Sequence, residues 1–413
     1  MKVFKFGGAS VRNAQAIRNV AGILKRNDGE KIIVVVSAMG KTTNALEKVL
    51  TEYHAKKDFQ GEIKALFGYH EAILKELFKP GHLVWSRVHE EFLQIKRALN
   101  LALPKDELYD KVVSEGEVIS SIIVAEYLLQ EGMPVTWVDA RRLIVTDSNF
   151  REANVDWSAT EARMQTLNAN RSGIILTQGF IGATLDGAVT TLGREGSDFS
   201  AAVFAYCLQA KSVTIWKDVP GVMNADPKRL PDAVVFEELP FREAAEMTYY
   251  GASVIHPKTI KPLANKNIPL FVRDFDNPLL PGTIIHEVKV HALPPLIVFK
   301  DNQCLVSCRV TDYTFIDEQQ LSFIFQVLSS LNMKINMMQN SAISFSFCID
   351  FREDKVLKLV EQLSKHFDVY YNTHLTLITI KNYDADTSER YRNKEGILLE
   401  QLSRSTLQIL VKN

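Results

Sequence analysis

Residues 32 to 36 read Ile-Ile-Val-Val-Val, five β-branched residues in a row with no polar alternation. A strand with one face in water alternates apolar and polar residues. An unbroken run belongs to a central strand of a parallel sheet, covered on both faces. The run ends in a turn of small residues, Ser37-Ala38-Met39-Gly40, and helical spacing resumes near Asn44. The N-terminus follows the same scheme: Lys2 to Phe6 is a strand, Gly7-Gly8 a turn, and Asn13 to Lys25 a helix with Ile17, Val20, Ile23 and Leu24 on a broad apolar face. PVTWVDA, GIILTQGFIGA, TTLGREGSD, FSAAVFAYCLQA and SVTIWKDVPGV continue the alternation. The order argues for a largely parallel sheet flanked by helices.

Residues 53 to 103 are charged and of helical spacing, as in a helical insertion between sheet elements. Ser114-Glu115-Gly116-Glu117 reads as a turn leading into the helix VISSIIVAEYLLQ, with Ser114 and Glu117 spaced as a capping box. PLFVRDFDN reads as the last strand of the sheet, followed by a Pro/Gly-rich exit. Beyond Pro294-Pro295 the character changes. LVSCRV, DEQQLSFIFQVLSSLN, INMMQ, ISFSFCID, EDKVLKLVEQLSKHF and LTLITIK give the β-α-β-β-α-β order of a ferredoxin-like unit. A tail follows, read as a helix around GILLEQL and a strand TLQILVK. The boundary is placed near residue 293, giving domains 1–293 and 294–413.

Composition excludes several classes of function. With 48 basic and 49 acidic residues in 413, no charge excess points to nucleic acid or an acidic membrane surface. No apolar run approaches the ~18 residues of a membrane span. MKVFKFGGAS lacks the apolar stretch of a signal peptide. Four sparse cysteines fit a reduced, cytoplasmic setting. Cys304 and Cys308 lie in a strand-like segment and read as buried thiols, with no histidine cluster to make a metal site. His256 reads as structural, closing a helix. Tyr249 and Tyr250 line a binding region or pack in the core. The run 389–395 reads as solvated surface.

The chemistry-bearing segments are four small-residue turns: residues 5–10, 37–40, 179–182 and 193–198, two with an adjacent Lys or Arg. Glycine turns at helix starts bring backbone N–H groups close to an anion, so four on one α/β chain point to a phosphate site. None fits the Walker or dinucleotide patterns. Lys5 and Arg194 are candidate cations for phosphoryl transfer; Glu117 and Asp198 are candidate acids, with helix capping the other reading of Glu117.

KFGGAS, VVSAMGKTTN, VSEGE, GFIGAT, TTLGREGSD, WKDVPGVMNADPK and MTYYGASVIHP occur in that order over residues 2 to about 286. The ordered set resembles the aspartate kinases of the amino acid kinase family, and the remainder resembles the paired ACT modules that follow that kinase domain, with the second copy shortened. The resemblance implies an α/β fold, a parallel-rich sheet sandwiched by helices, then a ferredoxin-like α+β regulatory region. It implies ATP-dependent phosphorylation of the β-carboxylate of L-aspartate, at the entry to lysine, threonine and methionine synthesis. Carried over motif by motif, Lys5 and Asp198 are implied as catalytic. Ser37, Thr43, Glu117, Arg194 and Ser197 are implied to hold aspartate, Glu117 at the amino group and Arg194 at the α-carboxylate. Lys5, Gly7, Gly8, Ser10, Lys217, Asp218, Met223, Asp226, Lys228 and Ser253 are implied to hold ATP. Mg²⁺ is implied to arrive with ATP, held by phosphates and water with no dedicated protein ligands. A homodimer through the ACT region, and lysine or threonine as effector, are further implications.

Four positions depart from the family pattern. Ala9 replaces a Thr, Glu195 a Gly of the GRGGSD loop, Lys217 a Thr, and Ser253 the lysine of GAKV. The resemblance therefore also admits a weakened or inactive amino-acid sensor, or a kinase of a related carboxylate. Lys217 is expected to supply part of the charge lost at position 253. The loop Thr314 to Gln320, where ACT modules use a Gly to meet an effector carboxylate, has two acids instead.

Overall fold

A computed structural model describes every residue except 169–172, 253–254, 291–292, 313 and 413. The Ser253 assignment lies outside the described residues. The chain divides into two compact units. One comprises Met1–Val222, Val235–Ala245 and Ser253–Lys289; the other comprises Met223–Val234, Glu246–Ala252 and Val290–Asn413.

In the first unit β1 (Lys2–Phe6), α1 (Ala14–Lys25) and β2 (Ile32–Val36) open the chain. Four helices follow: α2 (Thr42–His54), α3 (Gln60–Leu77), α4 (Val84–Ala98) and α5 (Lys105–Gln130). Then come β3 (Val135–Trp137), α6 (Trp157–Asn168), β4 (Ile174–Gln178), β5 (Ile181–Ala183), β6 (Val189–Thr191), α7 (Gly196–Cys207) and β7 (Val213–Lys217). The series continues with β8 (Glu238–Pro240), α8 (Phe241–Tyr250), α9 (Pro257–Asn265), β9 (Leu270–Asp274) and β10 (Thr283–His286). Eight strands form one sheet in the order β3-β4-β2-β1-β7-β9-β10-β8. All its pairs are parallel except β9 with β10. β2 is flanked on both edges, by β1 and β4, and all five of its residues are buried. Asn13 caps α1, its Oδ1 accepting from the Ala16 N–H at 2.8 Å.

Three sequence expectations in this unit are corrected. Ser114 to Glu117 is no turn; it lies within the 26-residue helix α5. Gly116 is there for contact, because a Cβ would fall 2.8 Å from Thr42 Cγ2 and 3.2 Å from Leu46 Cδ1. The glycine lets α5 press against α2, which reads locally as a helix breaker. The Ser114 hydroxyl donates to Lys111 O within the helix, so the capping box does not form. The Pro/Gly-rich exit contains a further strand, β10, whose Thr283 Oγ1 donates to Phe236 O at 2.5 Å and accepts from Val222 N at 2.8 Å. His256 opens α9 instead of closing a helix, its Nδ1 accepting from Lys258 N at 3.2 Å with Pro257 in the first turn.

The second unit holds β11 (Leu296–Arg309), α10 (Glu318–Ser330), β12 (Ile335–Asn340), β13 (Ser344–Asp350), α11 (Glu353–Leu363) and β14 (Asp368–Lys381). α12 (Ala385–Arg392), β15 (Ile397–Leu402) and β16 (Thr406–Lys412) complete it. Its six-stranded antiparallel sheet runs β12-β13-β11-β14-β16-β15. The first four give the ferredoxin-like order. The N-terminal half of β11, the C-terminal half of β14, β16 and β15 repeat that order, with α12 as the one helix of the repeat. GILLEQL is therefore a strand, not a helix: β15 pairs with β16 from Ile397 to Leu402, closing the sheet edge. The helix of this tail lies upstream, in the polar segment read as plain surface. Asp384 caps it by accepting from Thr387 N at 2.8 Å, and its Tyr391 is buried. Cys304 and Cys308 are buried on one face of β11, and burial pushes both thiols up to about 12.

Candidate active site

Two glycine turns meet above the ends of β1 and β2. A Cβ on Gly8 would lie 2.7 Å from Ala38 O and 3.0 Å from Gly40 O, so only glycine allows the approach. The Gly40 N–H donates to Gly8 O at 3.0 Å, locking the turns together. Gly40 has φ +55 and stands against the Tyr69 hydroxyl. A third turn reaches the start of α7 in the same manner: a Cβ on Gly179 would lie 2.5 Å from Ser197 Cβ.

These turns frame a cavity of about 810 Å³. Lys5, Gly8, Ser37, Thr43, Glu117, Arg194, Ser197, Asp198 and Lys217 line it, and all nine were singled out by the sequence. Lys5 stands on β1 and Lys217 ends β7, its parallel neighbour. Their ammonium groups converge on Asp198 in the first turn of α7: Lys5 Nζ is 2.6 Å from Oδ1 and Lys217 Nζ 3.5 Å from Oδ2. Burial alone would raise the Asp198 pKa; the two ammoniums reverse that and hold it below the ordinary carboxylate range. Glu117 shows the opposite. It is 3% exposed on α5, and burial pushes its carboxyl up to about 8, against the opposing pull of the Ala38 N–H and Lys5. Its Oε2 has no hydrogen-bond partner. One acid is thus fixed as a carboxylate by two ammoniums, while at the other the pull of Lys5 does not overcome burial.

The remaining assignments fall elsewhere. Gly7 sits between Lys5 and Gly8, and a Cβ there would lie 3.4 Å from Lys5 Nζ. Ser10 is buried, its hydroxyl donating to Trp216 O at 3.5 Å. Asp218 is exposed just past β7. Met223, Asp226 and Lys228 belong to a segment of the second unit, where the Asp226 carboxylate accepts from Lys228 N at 2.9 Å.

Sequence reasoning missed the loop Asn149 to Glu152, which also lines the cavity, with Tyr109 beside it. A fully buried carboxylate, Asp110 of α5, holds this loop. It accepts from Arg151 N at 2.9 Å, Thr191 N at 2.9 Å and Thr191 Oγ1 at 2.7 Å. The Arg151 guanidinium lies 4.1 Å from the centroid of the Tyr109 ring. The only local signal was the turn-forming run Asp147-Ser148-Asn149.

The comparisons agree with this architecture. The amino acid kinase family model matches residues 1–274. The Lysine-sensitive aspartokinase 3 of Escherichia coli is 32% identical over 355 residues, 84% of this chain and 78% of that protein. A bifunctional aspartokinase/homoserine dehydrogenase 2 of Arabidopsis thaliana is 32% identical over 381 residues, 88% of this chain; the chain spans 42% of that relative's length. The crystal structure of E. coli aspartokinase III in complex with aspartate and ADP superposes with a TM-score of 0.84 at 28% identity, covering 100% of this chain and 96% of that one. The chain belongs to the amino acid kinase family, with aspartokinases as its relatives.

Proposed function

We propose that the chain transfers the γ-phosphoryl group of ATP to the β-carboxylate of L-aspartate, giving 4-phospho-L-aspartate and ADP. The observation that carries this is the Lys5–Asp198–Lys217 cluster sharing one cavity with Glu117 and Arg194. The arrangement suits an amino acid with two carboxylates. Arg194 is the two-pronged partner for the α-carboxylate. Glu117, buried and with no hydrogen-bond partner at Oε2, takes the ammonium group, which supplies the close cation that ionises it. Ser37, Thr43 and Ser197 offer hydroxyls between them. The β-carboxylate is then directed toward Lys5.

The nucleophile is already ionised at pH 7, so no general base is required. A carboxylate oxygen forms the new bond to the γ-phosphorus as the bond to the β,γ-bridging oxygen breaks, and ADP leaves with that electron pair. No proton moves. Catalysis is positioning and charge stabilisation. Lys5 meets the migrating phosphoryl group, and Asp198 fixes the Lys5 ammonium in place. Mg²⁺ bound with the nucleotide would neutralise phosphate charge. The aspartokinase III structure carries aspartate and ADP, which supports the same pair of ligands here.

Lys217 is assigned to the nucleotide phosphates. A Lys217→Ala variant is expected to raise the KM for ATP by about tenfold, the value of one charge-assisted contact, with the KM for aspartate unchanged. An unaltered ATP KM in steady-state assays would remove Lys217 from the site.

The E. coli relative is named lysine-sensitive. In this chain Asp317 and Gln320 form a capping box at the start of α10, so the N–H of Gln320 is already taken by a carboxylate at 2.8 Å. An effector carboxylate there would have to displace it. We place a homodimer contact in the second unit and the protein in the cytoplasm; no helix among the described residues is long and apolar enough to cross a membrane.

The test is ADP release with L-aspartate and ATP, with hydroxylamine present to trap the acyl phosphate, run with and without lysine and threonine. Aspartate-dependent ADP and hydroxamate are the expected result. Folded protein that gives neither at millimolar ATP supports an amino-acid sensor instead.

A further inference from the structure

Glu195 is an acid of the cavity that the phosphoryl-transfer scheme leaves unused. It precedes α7 in the left-handed region, with φ +54 and ψ +28. That conformation is strained for a residue with a Cβ, and such outliers gather at functional sites. The chain does use glycine at Gly193, φ +78, in the same turn. It keeps a glutamate two residues later despite the strain.

The side chain gives a second, independent sign. Glu195 lines the cavity, and its Oε2 is buried with no hydrogen-bond partner. Glu117, nine-tenths buried and more, presents a second unpartnered carboxylate oxygen to the same space, but the substrate ammonium accounts for that one. Asp198 already sits between two ammoniums. The nearby His256 has its Nδ1 occupied in accepting from Lys258 N at 3.2 Å, and burial lowers its pKa against the pull of Glu195.

A bare carboxylate in a cavity that takes ATP would oppose binding. Like charges inside a partly buried cavity repel more strongly than in water. A bridging cation reverses the sign. Mg²⁺ prefers oxygen and commonly takes one or two carboxylates along with substrate phosphates and water. Among the described residues no group of three metal-capable side chains exists, and so no preformed cage for a metal among them. The donor set fits a cation that arrives on the nucleotide and finds one carboxylate waiting.

We propose that Glu195 is the protein's own ligand to the divalent cation bound with the nucleotide. The inference rests on the nucleotide reading above and assigns the metal a residue in this chain.

The test uses the full chain, ADP, and Mn²⁺ as the metal probe, with free Mn²⁺ read by electron paramagnetic resonance. Glu195→Gln removes the charge and keeps the backbone; Glu195→Gly also relieves the left-handed strain and guards against misfolding. In both variants the Kd of Mn²⁺ at saturating ADP is expected to rise about tenfold or more, as for loss of one ionic ligand. In EDTA the variants are expected to bind ADP as tightly as the parent or more tightly, because the bare carboxylate repels phosphate. Unchanged Mn²⁺ affinity in both variants overturns the assignment while leaving the nucleotide reading intact. A parent protein that binds no ADP, with or without metal, overturns both.

Discussion

Lys5→Met is expected to lower kcat by about 10³-fold, the upper range for removing one preorganised charge from a transition state. The Kd for aspartate should change far less than kcat, because Arg194 is untouched and Glu117 loses only the smaller of the two pulls that oppose its burial. The split matters because Lys5 has two roles in the structure. Its ammonium contacts Asp198 at 2.6 Å in a setting where both side chains are nearly inaccessible. Removing it leaves Asp198 with Lys217 alone at 3.5 Å. Breaking one side of a buried ion pair commonly costs about 3–5 kcal/mol, so thermal unfolding must be followed alongside turnover. The sign at Asp198 follows from its causes. With one of the two opposing ammoniums gone, burial regains weight and the carboxyl pKa climbs. The carboxyl is held low in the parent, so its stabilising contribution is present above the unfolded-state pKa and fades as pH falls through the folded-state value. The variant should therefore lose less stability than the parent on acidification. A kcat within tenfold of the parent would remove Lys5 from the chemical step.

The strands of the first unit were legible because hydrophobic pattern encodes them locally. Ile32 to Val36 admits one environment, and the structure buries all five residues. What failed was punctuation. Gly116 was read as a turn, but it is a helix residue whose missing side chain makes room for Thr42 and Leu46. A sequence shows that a Cβ is absent and not whether backbone dihedrals or a neighbour required it. GILLEQL failed for a related reason: seven residues with mixed spacing fit either period, and the partner strand β16 decides the outcome. The site divides the same way. Lys5, Asp198 and Glu117 sit in motifs with an unusual local chemistry. Asn149 to Glu152 reach the cavity through Asp110, a residue 41 positions from Arg151 in the chain, and no local pattern reports such a contact. The left-handed backbone at Glu195 was equally hidden, since only coordinates reveal its φ.

Glu117→Gln is expected to weaken aspartate binding by about 10²-fold, the size of losing a buried hydrogen bond to a charged group worth about 3 kcal/mol. The same substitution should make the unliganded protein more stable at pH 8. Both effects come from one property. Burial pushes the Glu117 carboxyl from its ordinary 4.5 up to about 8. Between those values the folded state holds a proton that the unfolded state has released. Stability then falls as pH rises across that window, because the unfolded state binds fewer protons. Gln cannot ionise, so the variant lacks this slope. Its Tm should exceed the parent's at pH 8 and approach it near pH 4.5. Substrate binding runs the other way. An ammonium needs the carboxylate form, so the parent's KM for aspartate should fall from pH 6.5 to 8.5 as Glu117 ionises, and the variant's should stay flat. Calorimetric unfolding and steady-state kinetics at matched pH values read the two trends separately. A parent KM that does not depend on pH across this range, or a variant that retains the parent's slope, would move the ammonium site away from Glu117. If both trends appear together, the glutamate that weakens the empty fold is the one that recognises the substrate, and its cost in the free protein is offset when the ammonium arrives.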